Sequence, residues 1–177
     1  SNFHLYKNHL VILKAFKILN KKYNLELNLI GKKSDNSLIK VKNFIKKNKL
    51  SNINIISYVN YDEIIKFYIN TDFCIYPSTC ENFPYGILEA IGLSIPTLAS
   101  NYICNLDTTF HNIYSFDPNN IDDVINKIDH FLQNKELRYQ KTAELYNMIL
   151  KLDSNTTSNK TIDLITNSYF EHTNSKK

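Results

Sequence analysis

What the sequence lacks excludes several chemistries before any motif is read. Only three glycines are present, Gly31, Gly86 and Gly92, so neither G-x-G-x-x-G nor G-x-x-x-x-G-K can be written. With four prolines as well, collagen-like and linker-dominated architectures are out. Arginine occurs once, at Arg138, and the formal net charge of +4 comes almost wholly from lysine. Nucleic-acid readers lean on bidentate arginine contacts, so nucleic acid is not an expected partner. Cys74, Cys80 and Cys104 are odd in number and form no C-x-x-C pair, which argues against a disulfide framework or zinc knuckle and for a reducing compartment. His4, His9, His111, His130 and His172 show no metal-ligand spacing. No apolar run approaches the roughly 18 residues that span a bilayer, and SNFHLYKNH is no signal peptide. The sequons at Asn155 and Asn159 read as chance in an Asn-rich tail.

What is present suffices for one domain: 177 residues, 43% of them hydrophobic. From about residue 8 to 133 the pattern alternates. NHLVILKAFKILNKKY places Leu10, Leu13, Phe16 and Leu19 at helical spacing behind Asn8 as cap. LELNLIG reads as a strand ended by Gly31, and 37–49 as a Lys-rich amphipathic helix. Residues 53–59 form a second strand, and 61–70 a helix capped by Asp62. Residues 72–77 form a third strand, 83–92 a helix and 94–100 a fourth strand. Periodicity fades over 101–112. IYSF (113–116) reads as a short strand, followed by helices at 119–133 and about 135–150, and the last 27 residues by one marginal helix.

Alternating strands and helices predict an α/β fold with a doubly wound, Rossmann-like parallel sheet, its strands apolar on both faces. A helix opens the chain where such a fold has a strand, so the chain is expected to begin just after one, leaving a sheet edge to be paired otherwise.

In such sheets ligands bind beyond the carboxyl ends of the strands. The segment PSTCENFPYGILEA runs from the third strand into a helix, with Glu81 in the loop and Glu89 in the helix. A helix N-terminus attracts phosphate through its unpaired N–H groups and its dipole. With Pro84 at the first helical position, the expected donors are the amides of Tyr85, Gly86 and Ile87, with Gly86 admitting close approach. Glu89 then lies roughly 7 Å along the axis. Carboxylates flanking a phosphate site suit hydroxyls at the two ends of a ligand. On spacing alone, solvated surface glutamates are the simpler reading.

The segment PSTCENFPYGILEAIGLSIPTLAS resembles the E-x7-E region of retaining glycosyltransferases of the GT-B fold, in particular glycosyltransferase family 4. YKNHLVILKAFKIL resembles that family's "KN" loop and first helix, and LNLIG, ISYVNYDEIIKFY and YSFDPNNIDDVINKI its later blocks, in order over roughly residues 5–150. The resemblance implies the carboxyl-terminal, donor-binding half (1–150, with 151–177 as a tail) of an enzyme moving a sugar from a nucleotide-diphosphate donor with retention and without metal. It assigns Glu81 the donor-sugar hydroxyls and the catalytic role, and Glu89 the ribose hydroxyls. The diphosphate falls to Lys7 and the amides of Tyr85, Gly86 and Ile87, and Asn82 and Phe83 join the substrate-binding residues. The base falls near Tyr58 and Asn60, with Gly31 adjacent. Two departures stand out: SNFHLY lacks the family's arginine ahead of the lysine, and Pro84 replaces a common glycine.

The implied partners are a nucleotide sugar, a carbohydrate or lipid-linked acceptor, and an amino-terminal acceptor domain supplied in cis or trans. The expected location is the cytoplasm, with the Lys-rich helix 39–49 available to the inner face of a membrane. The alternative is a non-catalytic α/β module, a nucleotide-sugar-binding relic or an interaction domain.

Overall fold

The computed structural model describes residues 2–32, 35–104 and 110–150, so the tail expected over 151–177 lies outside the described residues. A 3-10 turn (Leu5–Lys7) leads into α1 (His9–Leu19), followed by β1 (Leu27–Ile30), α2 (Ser37–Lys47), β2 (Ile53–Ile56), α3 (Tyr61–Ile69) and β3 (Cys74–Tyr76). Then come α4 (Tyr85–Gly92), β4 (Thr97–Ser100), a short α5 (Asn101–Cys104), β5 (Tyr114–Phe116), α6 (Ile121–Gln133) and α7 (Lys135–Ile149). The alternation expected from periodicity is present, with shorter strands and α5 in the stretch where the pattern faded.

All strand pairs are parallel, as connections through helices require. They pair as β1–β2 and as β3–β4–β5, within the α/β, Rossmann-like parallel architecture expected from the sequence. Leu27 pairs with Ile53 in the first; Cys74 pairs with Thr97, and Leu98 with Tyr114, in the second.

Helices cover both faces of the three-stranded sheet. Leu98 and Phe116 pack with Val11, Ile12, Ala15 and Leu19 of α1 and Val124, Ile128 and Phe131 of α6. Ala99, on the opposite face by the alternation of strand side chains, packs with Ile87 and Ile91 of α4 and Leu145 of α7. Every residue of β4 is buried, as a central strand under two helical layers must be. Leu13, on another face of α1, meets Leu29 of β1, Val41 of α2 and Phe3.

Capping differs from expectation in mechanism. Asn8 occupies the N-cap of α1, but in the left-handed region (φ 50°) and without a side-chain cap bond. The cap of α3 is Asn60, not Asp62: the Asn60 side chain accepts from the Glu63 N–H while the Glu63 carboxylate accepts from the Asn60 N–H, a reciprocal capping box. Arg138 is spent on structure, donating to the carbonyls of Phe131 and Leu132 at the end of α6, where helix carbonyls lack partners. No helix among the described residues is long and apolar enough to cross a membrane.

Candidate functional site

Because the strands are parallel, their carboxyl ends converge on one edge, and the loops there are tied together. The Thr79 N–H donates to the Tyr6 carbonyl at 2.8 Å, joining the loop after β3 to the amino-terminal turn. The Ser100 hydroxyl, fully buried, donates to the Ser78 carbonyl and fixes the same loop to the end of β4.

These ties bring Lys7 to Glu81. The ammonium lies 2.5 Å from the Glu81 carboxylate, with the side chains 17% and 11% exposed. A pair this sheltered is screened less than a surface pair. It places one positive and one negative group at the mouth of a groove of about 1480 Å³, which Glu89, Phe83, Tyr85 and Gly86 also line. The two carboxylates of the E-x7-E segment therefore border one cavity.

The turn into α4 departs from expectation. Pro84 is the N-cap, and the helix begins at Tyr85. The Tyr85 N–H donates to the Phe83 carbonyl (3.0 Å) and the Ile87 N–H to the Pro84 carbonyl (2.9 Å), so two of the three expected anion donors serve the turn itself. The Ile87 side chain is fully buried in the core. Gly86 has another reason to be glycine. A Cβ there would meet the Tyr76 ring at 3.3 Å and its hydroxyl at 3.5 Å, so the close approach it permits is that of a tyrosine.

That tyrosine belongs to a cluster that sequence reading missed. The Tyr76 hydroxyl donates to the Gly86 carbonyl at 2.6 Å. The Tyr68 hydroxyl, on α3, lies 3.3 Å from the Tyr76 hydroxyl and 3.2 Å from Glu89 Oε2. Burial pushes both phenols well above their ordinary pKa, so they stay protonated and act as donors. Burial likewise raises the neighbouring Cys74 thiol to about 12, which leaves it unreactive. The sequence signal for the cluster was two tyrosines near the ends of successive elements, which reads equally well as core.

The remaining expected residues stand outside the groove lining. Tyr58 is 64% exposed, and the Lys32 ammonium rests 4.4 Å over its ring. The Asn60 side chain is engaged in its cap. The Gly31 N–H donates to the Ile56 carbonyl, and Asn82 is exposed in the loop. Among the described residues, no group of three or more His, Cys, Asp or Glu side chains could hold a metal ion.

The family model described as glycosyl transferases group 1 matches residues 1–146. CapJ of Staphylococcus aureus is 32% identical over 147 residues, which is 81% of this chain and 37% of that protein. MJ1178, an uncharacterized glycosyltransferase of Methanocaldococcus jannaschii, is 30% identical over 101 residues, 56% of this chain and 29% of that protein. The chain thus spans about a third of the length of these relatives. Among solved structures, the catalytic domain of the cholesterol-alpha-glucosyltransferase of Helicobacter pylori superposes with a TM-score of 0.70 at 25% identity, covering 85% of this chain and 93% of that one.

Proposed function

From the premise that the chain belongs to the group 1 glycosyl transferases, we propose that it is the donor-binding half of an enzyme that moves a sugar from a nucleotide-diphosphate sugar to an acceptor hydroxyl with retention of configuration and without a metal ion. The observation that carries this reading is the meeting of Lys7 with Glu81 at the mouth of a groove that Glu89 also lines.

Each group has a task suited to its chemistry. Glu89, held by the Tyr68 hydroxyl, accepts hydrogen bonds from the ribose hydroxyls. Glu81 accepts from hydroxyls of the donor sugar. The Lys7 ammonium neutralises the diphosphate, which leaves with the electron pair of the sugar C1–O bond as the acceptor oxygen takes its place on the same face and passes its proton to the departing phosphate oxygen. Charge developing on the leaving group is then met by a fixed cation. Two of the three turn amides are spent internally, so Lys7 carries more of the diphosphate charge than a helix-terminus site would ask of it. The exposed rings of Phe83 and Tyr85, edge to face at 5.1 Å, offer an apolar wall beside the nucleotide.

Transfer also needs an acceptor and exclusion of water, tasks for a second domain that closes over the groove. The chain alone is therefore a binder of donor more than a catalyst. Titration calorimetry against UDP-, GDP- and ADP-sugars tests the reading: one series should bind in the micromolar to low-millimolar range, and Glu89→Ala should weaken it. Absence of binding across the panel would leave the α/β module as an interaction domain.

A further inference from the structure

His4 lines the same groove, three residues ahead of Lys7 on the amino-terminal turn. Its ring is partly exposed and stacks on Tyr6, with centroids 5.2 Å apart and planes at 13°. His4 Nδ1 lies 3.9 Å from Asp35 Oδ2, a contact that becomes an ion pair when the ring is protonated. Asp35 is itself held: Oδ2 accepts from the Leu5 N–H at 3.1 Å and Oδ1 from the Ser37 N–H at 2.6 Å. The bonds from Ser37 keep its carboxyl below the ordinary range, so it is ionised wherever a histidine titrates. A carboxylate fixed on the Nδ1 side orients the ring, favours the imidazolium and leaves Nε2 as the nitrogen for a ligand in the groove.

Other charged groups nearby have their own partners. The Lys7 ammonium is paired with Glu81, and as a cation on the same turn it disfavours a second positive charge until an anion arrives. Lys32, beyond β1, rests its ammonium over the Tyr58 ring. His9 of α1, stacked on Phe3, is neutral down to about pH 4. Arg138, the one arginine of the chain, donates to the carbonyls of Phe131 and Leu132. Positive charge at the groove mouth is therefore work for lysine and histidine.

We propose that His4 is a second, proton-dependent cation for the diphosphate: with Asp35 behind it, the ring takes a proton from solvent as the ligand enters, and Nε2–H donates to a phosphate oxygen that Lys7 also holds. This role rests on the donor-site reading above, to which it adds a residue and a pH dependence. No covalent bond changes, and the proton returns to water when the diphosphate leaves. Proton and diphosphate strengthen each other's hold, so acidification tightens the diphosphate and the diphosphate favours the imidazolium. Charge on the departing nucleotide then meets two cations, the second of them set by pH.

The test is calorimetry with UDP, GDP and ADP on the full chain and on its His4→Asn and His4→Arg variants at pH 8, 7 and 6. Ionisation of the ligand is common to these proteins and cancels in their ratios. From pH 8 to pH 6 the wild type should gain on His4→Asn by about tenfold, the scale of one charge-assisted hydrogen bond. His4→Arg, charged throughout, should instead hold a constant advantage over His4→Asn. Near pH 7 the wild type should take up more protons on binding than His4→Asn, read from the dependence of the heat on the buffer's ionisation enthalpy. Asp35→Asn keeps an acceptor for Leu5 and Ser37 without the charge, so it should lose part of the same pH dependence. Binding with equal pH dependence in wild type and His4→Asn overturns the role of His4 alone. Binding absent from both wild type and His4→Arg at every pH overturns it together with the donor-site reading.

Discussion

Lys7 and Glu81, 74 positions apart in sequence, meet at 2.5 Å in a part-buried ion pair at the groove mouth. With no ligand, each satisfies the other, so a phosphate must compete with Glu81 for the ammonium. Glu81→Gln should therefore have effects of opposite sign: tighter binding of a free nucleoside diphosphate, as Lys7 is released, and loss of the extra affinity that the sugar confers. Lys7→Met should weaken both ligands and destabilise the fold by about 1–3 kcal/mol, because it strands a sheltered carboxylate. Calorimetry with nucleotide and nucleotide sugar in parallel reads both, and weaker binding of the free nucleotide to Glu81→Gln would break the link between the pair and the site.

Glu89 is oriented by the Tyr68 hydroxyl at 3.2 Å. Tyr68→Phe removes that donor but keeps the ring, so α3 should stay packed. The expected outcome is a loss of about 0.5–1.5 kcal/mol in nucleotide affinity with little change in thermal midpoint. Glu89→Ala should cost about 1–3 kcal/mol, and in the double variant the tyrosine effect should vanish, since the phenol acts through the carboxylate. Additive losses would separate the two residues.

Gly86→Ala tests why glycine stands at that turn. Alanine in a helix gains about 1 kcal/mol over glycine, but the added Cβ sits 3.3 Å from a Tyr76 ring whose hydroxyl is tied to the Gly86 carbonyl. Overpacking of this kind costs about 1–3 kcal/mol, so the net should be destabilising. Combined with Tyr76→Leu, which clears the ring, the alanine should become neutral or stabilising. A destabilisation unchanged in that background would point to the backbone instead.

The element order was legible because amphipathic spacing and short runs of small and apolar residues are local signals, and β4, buried throughout, is the clearest case. The meeting of Lys7 with Glu81 was accessible only through the resemblance, since no local rule joins positions 74 apart. The division of the strands into two pairings was not visible, because which strands pair depends on long-range contacts that no local window contains. Local chemistry misled at α3 and α4. Asp62 and Asn60 are both good caps by type, and only backbone conformation chose Asn60. Proline suits a first helical position, yet Pro84 adopts ψ 74° and stands outside the helix. The Tyr68–Tyr76–Glu89 cluster was hidden because tyrosines in strands and helices are ordinarily core.

His9 gives the fold a pH dependence that can be isolated. It is 9% exposed and stacks on Phe3 at 4.6 Å. Burial, with the Lys7 charge adding to it, lowers the imidazole pKa from 6.5 to about 4. The folded state thus takes up this proton only near pH 4, whereas the unfolded chain takes it up near pH 6.5. Between those values the unfolded state holds more protons, so stability falls on acidification across that window and is fully present above it. At about 1.36 kcal/mol per unit the contribution reaches at most about 3 kcal/mol, and acidification below pH 4 adds nothing further from this group. Urea unfolding at pH 7, 5.5 and 4 should show the decline. His9→Phe keeps an aromatic ring against Phe3 and removes the titration, so its stability should change less over the same interval. Parallel curves for the two proteins would assign the acid sensitivity to carboxylates elsewhere.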